Sequence, residues 1–226
     1  MISVTIPALH SDSDILIIDK PAGVLSIPDG YDHAVPYLRR LLEPDYGRLW
    51  VVHRLDKETS GVMVLARNPD AHRSLSNQFA GRQVSKVYHA IVNGVPEWDE
   101  KMLDLPLRAG VGRHHRTAVD IGNGKPARTH FRVLERFSQH ALIAASPETG
   151  RTHQIRAHLY DMTFCVLSDP LYGTMQRSPF IDRLALHAHM LTLWHPSTGA
   201  MMTFQSPYPA DFEAVLATLR SLDAQG

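Results

Sequence analysis

Short apolar runs, many of them β-branched and separated by polar turns, organise the chain. Ile15, Leu16, Ile17 and Ile18 form the first run, which closes at Lys20-Pro21-Ala22-Gly23, where proline and glycine together demand a turn. The pattern predicts a second strand over 24–27 and a short helix over 35–42. Trp50, Val51 and Val52 lead into the polar segment 53–61, and the apolar run Val62, Met63, Val64, Leu65, Ala66 follows it. Polar segments between buried strands are where binding and catalytic side chains collect. The strongest helical signal spans 70–80: Asn68 can cap it, Pro69 suits the first position, Ala71, Leu75 and Phe79 recur at four-residue spacing, and Gly81 stops it. That stripe is expected to pack on a sheet. Further strands are predicted over 86–92, 129–135, 141–146, 184–194 and 201–204, with a closing helix over 210–222. Strands outnumber helices, and most connections are too short for repeated βαβ crossovers. The predicted class is therefore α+β, a mixed, mainly antiparallel β-sheet with flanking helices. Segment 108–128, rich in Gly, Arg and His, has no clear periodicity and reads as a mobile excursion.

Composition narrows the function classes. With 44% hydrophobic and 20% charged residues the chain has an ordinary globular make-up. No run approaches the ~18 apolar residues of a membrane span, since the stretch over 61–66 is cut by Arg67. The N-terminus lacks a basic-then-apolar signal pattern, and one cysteine, Cys165, cannot form an internal disulfide. A cytoplasmic protein, free of the membrane, is expected. No repeat or linker is visible, so residues 1–226 are expected to form one domain acting as a monomer. Lys and Arg total 23, as do Asp and Glu, so any polyanion must be held by a local patch.

Four stretches could carry chemistry. In His53-Arg54-Leu55-Asp56-Lys57-Glu58-Thr59-Ser60-Gly61 an aspartate beside an arginine is followed by Thr-Ser-Gly, which can turn and bond the backbone. This could fix an ionised carboxylate at a cleft, though an aspartate capping a turn looks the same. Gly150-Arg151-Thr152-His153-Gln154-Ile155-Arg156-Ala157-His158 reads as a helix opening after Gly150. At helical spacing one guanidinium can meet phosphate while the other turns inward, and surface salt bridging is the alternative. In Lys86-Val87-Tyr88-His89-Ala90 strand alternation sets Tyr88 opposite Val87 and His89, a pattern that also serves a core tyrosine. His187 and His189 share a strand face, with His153 or His158 as further ligand candidates. No HExxH or CxxC motif supports a metal there, and none is expected.

Taken together, HRLDKETSG, KVYHA, GRTHQIRAH and RLALHA, in this order, resemble the RluA-type RNA pseudouridine synthases. The KPAGVLSIP opening and the LHAHMLTLWHP close fit the same pattern, and the resemblance covers about Ile15 to Phe212. The chain looks most like the short members without an S4 RNA-binding domain, because the first predicted strand starts near residue 15.

The resemblance implies the pseudouridine synthase catalytic fold and the isomerisation of uridine in structured RNA, transfer RNA or large-subunit ribosomal RNA or both, with no cofactor. Asp56 is implied as the catalytic carboxylate, either attacking C1′ or taking the 2′ proton. Arg156 is implied to pair with it, and Tyr88 to pack on the uracil and handle protons at C5. Leu186 would lie on the other side of the base, and Arg54 would fill the gap left when the base flips out. Phosphates would fall to Arg113, Arg116 and Arg151. Two rivals remain open at this stage: a glycoside or nucleoside hydrolase using Asp56 and Glu58, and a non-catalytic RNA-binding module. The intact Asp56, Tyr88 and Arg156 argue against the second.

Overall fold

The computed structural model describes residues 5–30, 32, 35–112, 116–173 and 178–224. In chain order its elements are β1 (Ala8–Ser11), β2 (Ile15–Lys20), α1 (Leu38–Tyr46), β3 (Trp50–Val51), β4 (Ser60–Ala66), α2 (Pro69–Ala80), β5 (Ser85–Asn93) and β6 (Glu100–Asp104), followed by β7 (Leu107–Val111), β8 (Arg116–Val119), β9 (Arg128–Arg136), β10 (His140–Pro147), α3 (Gln154–Asp161), β11 (Leu186–Trp194), β12 (Met201–Gln205) and α4 (Ala210–Asp223). The fold is α+β, with mainly antiparallel strands, as the apolar pattern predicts. The chain divides into two compact units, residues 1–86 with 188–207 and residues 87–187 with 208–226.

In the first unit β4 lies between β2 and β11. Ile15 to Ile18 are fully buried, as is every residue of β4, which is why both segments are unbroken apolar runs rather than alternating ones. Helix α2 starts where the sequence predicts: the Asn68 side chain accepts the Ala71 N–H, and Pro69 follows at the first position. Its buried Ala71 and Leu75 face β3 and β4.

Two expectations fail here. Segment 24–27 is not a strand and makes only an isolated bridge from Leu25 to Tyr37. The Val24 carbonyl accepts the Lys20 ammonium and the Ser26 hydroxyl donates to the Leu55 carbonyl, so side chains take up bonding that a strand ladder would need. The helix expected over 35–42 begins at Leu38, because Tyr37 is held extended and the Leu38 N–H donates to the Leu25 carbonyl.

The second unit is built on the strand order β5, β10, β9, β6. Its core joins Ala90, Ile91, Val92, Phe131 and Ile143 with Phe212, Val215 and Leu219 of α4. Within the excursion expected over 108–128, β7 and β8 instead pair as antiparallel strands. One side of the pair, Leu107 with Val119, packs together with Ala127, Ala157 and Tyr172, while Arg108, Ala109 and Gly110 are exposed. Burial on one side of two short strands leaves too few apolar positions to show a period.

Candidate active site

Asp56 lies in the connection between β3 and β4, and buried side chains fix the backbone on both sides of it. Before it, Leu55 is buried, its N–H donates to Ser26 Oγ at 3.1 Å, and Ser26 Oγ donates back to the Leu55 carbonyl at 2.7 Å. After it, the Lys57 carbonyl accepts from Gly23 N–H at 2.8 Å and from Lys20 Nζ at 3.1 Å. The buried Lys20 ammonium also donates to the Pro21 and Val24 carbonyls, both at 2.9 Å. A turn closes between the Asp56 carbonyl and the Thr59 N–H. The half-buried Asp56 carboxylate and the exposed Arg54 are thus carried by a segment that cannot drift.

His53 opens the segment. Its Nε2 accepts the Val64 N–H at 3.1 Å, and its ring stacks on Phe79 with centroids 4.6 Å apart. Desolvation, with a smaller contribution from nearby Lys86, pulls its pKa down to about 3, so the imidazole is neutral and carries its proton on Nδ1. Gly61 ends the segment at φ +117°, with the Ala188 carbonyl oxygen 2.2 Å from where a Cβ would lie. The glycine at the end of the motif is therefore required by close backbone approach.

In the second unit, Arg156 is buried on α3 and donates through Nε and Nη2 to the two Asp169 oxygens, both at 2.7 Å. The Tyr172 ring faces the same guanidinium at 5.1 Å. The helix carrying Arg156 starts at Gln154 rather than just after Gly150, because Gln154 Oε1 accepts both Thr149 Oγ1 and the Arg151 N–H. Arg151 therefore sits on the preceding turn, half-exposed, with Nε donating to the Pro126 carbonyl at 3.0 Å. His153 just before α3 and Ser168 just before Asp169 both adopt left-handed backbone, φ 52° and φ 53°. Non-glycine residues held this way cost about 1–3 kcal/mol each and cluster at functional sites.

Tyr88 is half-buried on β5 opposite Ala145 and packs on the core of the second unit. Leu186 is buried at the start of β11 in the same cluster. Arg116 lies over the exposed Tyr160 ring at 4.9 Å. Arg113 lies outside the described residues. The residues expected at the base and phosphates thus divide between the units, with Arg54 and Asp56 in the first and Tyr88, Arg116, Arg151, Arg156 and Leu186 in the second. Asp169 and the brace of Ser26 and Lys20 were not anticipated. The only sequence signal for Asp169 was an acid set among Ser, Pro and Gly after the apolar Val166-Leu167, which reads equally as a turn cap.

The histidines considered as metal ligands have other partners. His187 is fully buried, its ring packed against Tyr208 and Phe212. His189 Nε2 is 2.9 Å from Gln205 Nε2. Both nitrogens of His158 are engaged, by Thr129 Oγ1 and the Leu105 carbonyl, and His153 Nδ1 meets the Tyr172 hydroxyl at 3.3 Å. Among the described residues one group, Asp12, Asp14 and His195, brings its ligand atoms within 4.8 Å of one another. His195 Nδ1 accepts the N–H groups of Ser197 and Thr198, which leaves the proton on Nε2, the atom facing Asp12 at 3.1 Å. That nitrogen donates to a carboxylate and offers no lone pair to a metal.

Residues 14–161 match the family model for RNA pseudouridylate synthase, and the chain belongs to that family, whose members are isomerases that make pseudouridine in RNA. It is 41% identical to the "Ribosomal large subunit pseudouridine synthase D" of Pseudomonas aeruginosa over 94% of this chain and 71% of that one. It is 38% identical to the "Dual-specificity RNA pseudouridine synthase RluA" of Escherichia coli K12, over 90% of this chain and 93% of that one. Among solved structures, human RNA Pseudouridylate Synthase Domain Containing 4 matches with a TM-score of 0.77 and 29% identity, over 94% of this chain and 92% of that one.

Proposed function

We propose that the chain converts specific uridines of structured RNA, in transfer RNA, large-subunit ribosomal RNA or both, by flipping the base out and using Asp56 as the reactive carboxylate. It does so as a monomeric cytoplasmic enzyme. The N1–C1′ bond breaks, the uracil turns, and C5 bonds to C1′ while the C5 proton is lost and N1 gains one. The conversion balances without an outside reactant or a cofactor. Asp56 acts at C1′ or on the 2′ proton through its carboxylate, and Arg156 is the arginine that the motif assigns to serve it. Tyr88 packs on the flipped uracil and handles the C5 proton, and Leu186 covers its other side. Arg54 takes the space the base leaves, and Arg113, Arg116 and Arg151 meet phosphates, which reconciles RNA binding with a net charge of zero.

The observation that carries this reading is the half-buried Asp56 in a backbone clamped by Ser26, Gly23 and Lys20. A carboxylate that serves only to cap a turn needs no such brace. The names of the relatives, one a large-subunit enzyme and one dual-specificity, support the choice of RNA. The test is a map of pseudouridine across cellular RNA with and without the gene. The reading expects sites in transfer or large-subunit RNA to vanish and to return on complementation. Unchanged maps, or release of free uracil by the purified protein, would overturn it.

A further inference from the structure

We infer that Asp169 is a positioning residue for Arg156, fixing the direction in which the arginine offers its charge to the reaction. The inference rests on the reading above and adds a residue that none of the recognised motif stretches contains.

Four observations within the second unit carry it. Asp169 meets one edge of the guanidinium through two parallel bonds of 2.7 Å, the fork geometry that fixes both distance and plane. Its side chain is fully buried and that of Arg156 is 5% exposed, so neither has water as an alternative partner. Asp169 is itself held: Oδ1 accepts the N–H groups of Leu171 and Tyr172 at 2.9 and 3.0 Å, and its carbonyl accepts the Gly173 N–H at 3.0 Å. A Cβ on Gly173 would come within 2.6 Å of that carbonyl oxygen, so the tight turn requires a glycine there.

The floor under the guanidinium is also tied down. The Tyr172 hydroxyl accepts the Thr117 N–H at 2.8 Å and donates to the Thr117 carbonyl at 2.9 Å. Burial pushes its phenol pKa up, so the hydroxyl keeps the proton it donates. The Tyr172 ring at 5.1 Å is therefore fixed to β8, the strand that also carries Arg116. With the Nε–Nη2 edge fixed on Asp169, the plane and direction of the Arg156 guanidinium are fixed with it.

A buried ion pair adds little to stability compared with a well-packed apolar pair, and its best-supported use is to specify one arrangement. That fits a residue whose value lies in placing another charge. Asp169 touches no substrate in this scheme.

The test measures single-turnover pseudouridine formation and RNA affinity at pH 7, on a stem-loop that the wild type modifies. Asp169→Asn keeps the shape and loses the charge. Asp169→Glu keeps the ion pair and moves it by one methylene, so it decides the matter if the Asn variant does not fold. Circular dichroism checks folding of both. The inference expects the rate at pH 7 to fall by roughly 10- to 100-fold in each variant, because misplacement of about 1 Å costs that much, while RNA affinity stays within about threefold. Folded variants with near wild-type rates would overturn the inference. So would a loss that falls equally on rate and affinity, the mark of a purely structural role. A wild type inactive on every RNA would overturn the functional reading, and the inference with it.

Discussion

Gly61→Ala and Gly23→Ala give a paired test of how the Asp56 segment is held. Both glycines have positive φ, +117° and +86°, but an added Cβ at Gly23 has nothing within 4 Å. At Gly61 it would lie 2.2 Å from the Ala188 carbonyl oxygen and 2.7 Å from the Ala188 nitrogen and carbonyl carbon. These are backbone atoms of a strand neighbouring β4, the oxygen over an ångström short of ordinary contact, and they cannot rotate away. Gly23→Ala should cost only the left-handed backbone strain, about 1–2 kcal/mol. Gly61→Ala carries a similar strain plus overpacking of about 1–3 kcal/mol, for a sum of about 2–5 kcal/mol. For a chain of this size each kcal/mol lowers Tm by about 2–4 °C, so thermal melting should separate the variants by several degrees, with urea denaturation as a second measure. Equal destabilisation of the two variants would refute the close-approach argument.

Three further outcomes follow from the site. His53 is neutral in the fold, with a pKa of about 3 against an ordinary value of 6.5. Below that ordinary value the unfolded chain takes up a proton that the folded chain refuses, so stability falls with pH by at most about 1.4 kcal/mol per unit. His53 as a residue is half-buried, which makes this an upper bound. Urea midpoints from pH 7 to 5 should fall faster for the wild type than for His53→Gln, and parallel slopes would contradict the assignment. Arg151→Ala should weaken binding to every RNA and reduce the slope of log affinity against log salt by about one contact. Arg54→Ala should slow single-turnover formation more than it weakens binding, with a smaller defect on an RNA whose target uridine is already unstacked. An equal loss on stacked and opened RNA would assign Arg54 to supporting the loop.

The core strands were legible because Ile15 to Ile18 and Val62 to Ala66 are buried on both faces, so the apolar runs are continuous. Strands β1 and β6 were not, since exposed and half-buried residues with no alternation carry no period. Segment 24–27 misled because its apolar letters serve a turn whose bonding goes to Lys20 and Ser26. Asp56 and Arg156 stood out through the motifs around them, whereas their supports did not. Ser26 reaches Leu55 across 29 residues and Lys20 reaches Lys57 across 37, and no local pattern encodes such pairings. Asp169 lies 13 residues from Arg156 in a stretch that reads as a turn, so the buried ion pair becomes visible only in three dimensions.

The most direct test of the central claim is single-turnover pseudouridine formation by Asp56→Asn, with Glu58→Gln beside it, on one pre-folded stem-loop RNA. The exchange of one oxygen for an amide leaves the braced backbone in place, so the account predicts no detectable isomerisation by Asp56→Asn, RNA affinity within a few fold of wild type, and an active Glu58→Gln. Pseudouridine formed by Asp56→Asn at near wild-type rate, or equal loss in both variants, would contradict it.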